Sequence, residues 1–92
     1  MPERSRAHIR VTGRVQGVGF RFFTRNQASL HGISGWVRNR PDGSVEIEAE
    51  AARERVEAFI SEIRNGPRFA AVDAVEVDWI SAKGASSFEV TG

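Results

Sequence analysis

The sharpest periodicity in the chain lies at its middle. Val45, Ile47 and Ala49 alternate with Glu46, Glu48 and Glu50, the period-two pattern of a strand with one apolar and one polar face. The three glutamates are expected on the outer face of this strand. Pro41-Asp42-Gly43 just before this run predicts a turn, because Pro presets φ and Gly accepts a positive one. Ile33 to Asn39, on the other side of the turn, is rich in β-formers, so the pair reads as a hairpin. His8 to Thr12 alternates more briefly, with Ile9 and Val11 on one face. Val75, Val77 and Trp79 alternate with Glu76 and Asp78 and predict a fourth strand, and Phe88 to Val90 reads as a short edge strand. Residues 1–6 read as a frayed start.

Two segments carry the helical period instead. From Ala52 to Asn65, the residues Val56, Phe59, Ile60 and Ile63 form one apolar stripe with Glu and Arg opposite, and Gly66-Pro67 stops the run. Phe20 to His31 lacks Gly and Pro and ends at Gly32, with Phe20, Phe23, Gln27 and Leu30 at helical spacing. Phe20, Phe22 and Phe23 are assigned to the core, Trp36 and Trp79 to core or rim. His31, at the helix end, reads as a cap or dipole partner. The order strand, helix, strand, strand, helix, strand is that of the split βαβ unit. The expected fold is therefore α+β, a ferredoxin-like two-layer sandwich. Its antiparallel sheet has the order 4-1-3-2, and two helices cover one face. Residues 1–92 form a single domain in this reading.

Composition narrows the chemistry. The chain has no cysteine, which excludes a disulfide scaffold and a cysteine-ligated metal. His8 and His31 are the sole imidazoles, so no metal site is expected. Thirteen basic and twelve acidic residues give a net charge of +1, far from the basic excess of a nucleic-acid-binding domain. The bases gather between Arg4 and Arg40 and the acids in the second half, which is compatible with one positive region for a small anion. The polar N-terminus carries no signal-peptide pattern and the chain no apolar span, so a cytoplasmic location is expected.

The loop Gly13-Arg14-Val15-Gln16-Gly17-Val18-Gly19, running into Phe20-Arg21, joins the first strand to the first helix. Glycines at this spacing let main-chain N–H groups turn toward one point and form an anion nest, to which the helix adds its positive end. Arg21 stands where loop becomes helix, and its planar fork can grip two phosphate oxygens at once. A purely structural turn is the alternative. The loop lacks the third glycine of a dinucleotide fingerprint and the Gly-Lys-Ser/Thr of a Walker loop. A second segment, Gly35-Trp36-Val37-Arg38-Asn39, ends the second strand. In a 4-1-3-2 sheet the first two strands are parallel, and their carboxyl ends open on one rim roughly 9.5 Å apart. Asn39 alone would read as a turn residue. On that rim its carboxamide comes within reach of whatever the loop holds.

Together the two segments resemble the signatures of the acylphosphatase family. The resemblance continues through Asp42-Gly43, Val45-Glu46, Gly66-Pro67 and Val75-Glu76-Val77 to Phe88-Glu89-Val90, nearly the whole chain. It implies the ferredoxin-like fold and hydrolysis of the carboxyl–phosphate bond of acyl phosphates, with no metal or organic cofactor. It implies a phosphate cradle from Val15, Gln16, Gly17, Val18, Gly19 and Phe20, with Arg21 as the phosphate-binding arginine. Asn39 matches the asparagine that orients the attacking water. His31, Ile33, Arg40 and Ala51 depart from the usual family residues without touching either catalytic match.

The expected partners are a small acyl phosphate as substrate and inorganic phosphate as product, with neither nucleic acid nor membrane, and the expected state is a monomer. The alternative is a non-catalytic phosphate- or RNA-binding module on the same fold. Gln16 to Phe23 partly mimics the RNA-recognition octapeptide. That octapeptide belongs on the third strand, however, and wants an aromatic where Val18 stands.

Overall fold

The computed structural model describes residues 3–92. Its elements are β1 (Arg4–Arg14), α1 (Phe20–His31), β2 (Ser34–Asn39), β3 (Val45–Ala52), α2 (Arg53–Asn65), β4 (Ala71–Ile80) and β5 (Phe88–Thr91). The frayed start expected for residues 1–6 is overturned at Arg4, Ser5 and Arg6, which belong to β1; residues 1 and 2 lie outside the described residues. The strand extends this far because β3 is long enough to pair with it. Arg4 stands opposite Ala52, Ser5 opposite Ala51 and Arg6 opposite Glu50.

The sheet order is β4-β1-β3-β2-β5, the expected 4-1-3-2 arrangement with a fifth strand added beside β2. β5 runs parallel to β2 with Val37 opposite Val90, so the sheet is mixed at that edge and antiparallel elsewhere. Both helices pack on one face of the sheet and against each other. Ile9, Val11, Val37, Val45 and Ile47 point into this layer and meet Val56, Phe59 and Ile63 of α2, all fully buried. α2 thus buries the stripe its sequence displays. Its C-cap is Gly66, at φ 70°, whose N–H donates to the Glu62 carbonyl at 3.1 Å.

α1 has the expected bounds, and its buried face is turned from the expected stripe: Phe20 is buried and Phe23 packs half-buried against the core. Phe20, Thr24 and Ala28 are its buried residues, while Leu30 is largely exposed. The residues at 20, 23, 27 and 30 suggested a stripe that ran with the helix's drift. The helix presents a ridge of three residues at four-residue spacing, whose small members, Thr24 and Ala28, allow close approach to its neighbours. The Thr24 hydroxyl is satisfied within the helix, donating to the Phe20 carbonyl at 2.8 Å.

The largest departure from the sequence reading is on the sheet face without helices. Glu46, Glu48 and Glu50 point there as expected, yet they are buried and not solvated. Glu50 is 0% exposed and accepts from Arg4 Nε (3.1 Å), Arg6 Nη1 (2.9 Å) and the main-chain N–H groups of Lys83 (2.8 Å) and Gly84 (2.9 Å). Glu48 takes Arg6 Nε at 2.7 Å and Lys83 Nζ at 3.2 Å. Glu46 takes Arg38 and Arg40 at 2.7 and 2.9 Å and meets His8 Nε2 at 2.6 Å. The difference has a physical cause. Alternation tells which side chains leave the apolar layer, but much of the cover comes from residues far off in sequence. Long arginine stems from the neighbouring strands lie over the central strand and bring their charge to each carboxylate.

Burial by itself would push these carboxyls up. For Glu50, the hydrogen bonds from the Lys83 amide and from Arg6 and Arg4 outweigh it and hold the group at about 2. For Glu46, burial is likewise outweighed by hydrogen bonds with His8, Arg38 and Arg40, and the group lies at about 2. Both values are lower than the ordinary carboxylate value of 4.5 in the unfolded chain. The two groups therefore contribute stability in full above that value, and the contribution is lost as pH falls from 4.5 toward 2. Urea midpoints measured from about pH 7 down to about pH 2.5 are expected to hold and then drop steeply within that window. Glu50→Ala at neutral pH leaves the Arg6 guanidinium, 3% exposed, without one of its two buried partners. A loss of roughly 3–5 kcal/mol is expected from equilibrium unfolding, the scale for breaking a buried pair.

Candidate functional site

The strand register sets the rim on which the glycine loop and Asn39 meet. Val45 of β3 stands opposite Val11 on one side and Asn39 on the other, so Asn39 is level with Val11 across the intervening strand. Beyond Val11 the first strand runs on to Arg14 and turns through the loop into α1. Gly17 and Gly19 have φ of 74° and 77°, while Gln16, Val18 and Phe20 between and beside them keep negative φ. Alternation of sign along successive residues turns their N–H groups to one side, the geometry of an anion nest. Among the described residues, none of the amides from Gln16 to Gly19 donates to another main-chain group.

α1 starts directly from this nest. Gly19 is its N-cap, so no side chain caps the first turn, and no acidic residue stands in that turn. The positive end of the helix is therefore left to whatever sits in front of it. Arg21 is the second residue of the helix and half-buried. One of its N–H groups donates to the carbonyl of Thr91 at the end of β5, at 3.2 Å. That contact aims the guanidinium while leaving the rest of its fork unengaged.

These groups enclose one small pocket of about 120 Å³. Its floor and walls are Val15, Gly17, Gly19 and Phe20, and Arg21 and Asn39 line it together. Val15 and Phe20 are buried and anchor the two ends of the loop in the core. Gln16 does something its position in the loop did not suggest. Its carboxamide nitrogen donates to the carbonyls of Arg40 at 2.7 Å and Ser44 at 2.9 Å. Those carbonyls belong to the turn that follows Asn39, a turn further held by Ser44 N–H and Oγ donating to Asp42 Oδ1 at 2.9 and 2.6 Å. Gln16 is thus a strut between the nest and the segment bearing Asn39. Val18 is half-buried and packs against the core edge. It does not line the pocket with its neighbours.

Phe22 also lines the pocket, although its sequence context assigned it to the core. It is 57% exposed. The signal that could have found it is angular: Phe22 lies two residues from Phe20, on the opposite side of the helix from the buried ridge. Larger hollows lie elsewhere, among them one between α2 and β4 lined by Ile60, Val77 and Trp79. That hollow has no phosphate-binding groups beyond Arg64 and Ser61. Among the described residues no three of His, Cys, Asp and Glu gather as a metal site, and no helix is long and apolar enough to cross a membrane.

A pocket that joins a nest, an uncapped helix end, a forked cation and a neutral carboxamide suits an anion with a polar reagent beside it. Known proteins share the whole framework. The family model described as Acylphosphatase matches residues 7–90. An acylphosphatase of Thermococcus kodakarensis is 50% identical over 90 residues, covering 98% of this chain and 99% of that protein. The crystal structure of acylphosphatase from Bacillus subtilis superposes with a TM-score of 0.93 at 38% identity, covering 96% of this chain and 99% of that one. The chain also superposes on T. kodakarensis HypF with a TM-score of 0.84 at 36% identity, covering 12% of that larger protein. With this fold, these signatures and a match across nearly its full length, the chain belongs to the acylphosphatase family.

Proposed function

We propose that the chain hydrolyses the carboxyl–phosphate bond of acyl phosphates, releasing a carboxylate and inorganic phosphate, at the pocket lined by Arg21 and Asn39. The observation that carries this reading is their convergence: a guanidinium, unpaired loop amides and a carboxamide share one small cavity. An acyl phosphate is already activated, since carboxylate is a good leaving group. The demand on the protein is to hold the phosphoryl group and place a water in line behind phosphorus. The nest amides and Arg21 bind the phosphoryl oxygens and stabilise the charge that grows on them. Asn39 accepts a hydrogen bond from water through its carbonyl and donates through its amide, which fixes the water's direction.

Water oxygen then bonds to phosphorus as the bond from phosphorus to the acyl oxygen breaks, and the electron pair leaves with the carboxylate. Asn39 is neutral and not a base, so the water proton passes to a phosphoryl oxygen of the substrate. In this scheme no protein group titrates during the reaction, and no metal or organic cofactor is required. A cytoplasmic, single-domain monomer acting on a small molecule completes the reading. Balanced charge, and the place of the glycine loop after β1 instead of on β3, favour it over an RNA-binding module.

The direct test is hydrolysis of benzoyl phosphate in EDTA, compared with a simple phosphate ester. Turnover of the first and neglect of the second is expected. A rate no greater than the uncatalysed one would overturn the reading. Arg21→Lys keeps the charge but loses the fork, and a fall in kcat/KM of about 10²–10³ is expected, the scale for removing one oxyanion donor. Asn39→Ala is expected to lower kcat by a similar factor, about 10², while KM stays within a few-fold. A near-normal kcat in that variant would remove Asn39 from the mechanism.

A further inference from the structure

Phe22 is a large apolar side chain left exposed where it lines the pocket beside Arg21 and Asn39. Phe20 on one side is buried and makes an edge contact with Phe23, their ring centroids 5.7 Å apart. Phe22 takes no part in that packing and is 57% exposed. Its ring lines the pocket together with Arg21 and Asn39. Arg25, one turn further along α1, places its guanidinium carbon 5.4 Å from the ring centroid. That lies within cation–π range and restrains the ring without covering all of it.

The substrate of the proposed reaction has two chemically different halves. The phosphoryl half has its partners in Arg21 and the loop amides. The acyl half must project away from them, through the mouth of the pocket, where Phe22 stands. We propose that Phe22 is the acyl-binding residue, a flat apolar platform that makes the enzyme favour acyl phosphates whose acyl group is itself planar and apolar. A benzoyl-type group can stack on or against this ring and bury area that water would otherwise cover. An acetyl group is too small to use the ring, and a strongly polar acyl group gains little there. The inference rests on the hydrolytic reading above and adds the class of substrate to it.

The experiment compares kcat/KM for benzoyl phosphate and acetyl phosphate in the wild type, Phe22→Ala, Phe22→Tyr and Phe69→Ala. Phe69 is 71% exposed and does not line this pocket, so it controls for loss of any surface aromatic. In Phe22→Ala the benzoyl-to-acetyl ratio is expected to fall roughly tenfold, the scale of one aromatic stack with its buried area. The change should lie mainly in KM for benzoyl phosphate. Phe22→Tyr should keep the wild-type ratio, as should Phe69→Ala. Inhibition by inorganic phosphate should be unchanged in Phe22→Ala, because the phosphoryl site is untouched. An unchanged ratio in Phe22→Ala, with both substrates still turned over, overturns the acyl platform and leaves the hydrolytic reading standing. Phosphate inhibition weakened in step with KM would also overturn it, by showing that Phe22 acts on the phosphoryl site. A wild type that hydrolyses neither substrate overturns the reading beneath.

Discussion

Val45 is paired on both sides, to Val11 of β1 and Asn39 of β2, and this double pairing is the constraint on which the site depends. It makes the two flanking strands parallel and brings their carboxyl ends to one rim at one height. The loop that leaves β1 and the carboxamide that ends β2 then have to meet. A slip of one residue in either pairing would turn the slipped strand's side chains to the opposite face of the sheet. The apolar layer that fixes the register therefore also fixes where the loop and Asn39 meet. Val11, Val37 and Val45 are fully buried, and a slipped strand would trade them for neighbours such as Arg10, Arg38 and Glu46.

Main-chain pairing aligns the rim only to the resolution of a strand, and side chains refine it. Gln16 ties the nest to the turn after Asn39 through hydrogen bonds to two carbonyls. Arg21 is aimed by the Thr91 carbonyl of the edge strand β5. On the far face of the sheet, Arg38 and Arg40 flank Asn39 and both hold Glu46, which pins the end of β2 against β3. A small domain with no disulfide thus supports a preorganised site by a lattice of hydrogen bonds on both sides of one strand end.

The same sheet uses its two faces differently. The helix face is closed by apolar contact, which tolerates some repacking. The other face is closed by carboxylates and guanidinium groups whose geometry is directional. Glu48 and Glu50 share Arg6 and Lys83 as donors, Glu46 has Arg38 and Arg40, and among the described residues no buried polar side-chain atom lacks a partner. Such a face heavily penalises any arrangement that separates its charges. It also makes the fold responsive to acid, while the pocket on the rim has no carboxylate in it.

Much of this was determined by local sequence. Alternation at 45–50 and 75–79, the apolar stripe of α2, and the stops at Gly32 and Gly66 specify the elements, because each is a property of neighbouring residues and of what a glycine or proline permits. The loop of alternating glycines and the presence of Arg21 and Asn39 were equally legible, since their spacing along the chain carries the pattern. Tertiary structure alone decided the rest. The burial of Glu48 and Glu50 required an arginine more than forty residues away on β1 and a lysine from the segment before β5. The ridge of α1 through Thr24 and Ala28 and the strut role of Gln16 depended on which neighbour packs where. Periodicity tells a side chain which way to point; only the assembled sheet and helices determine what it finds there.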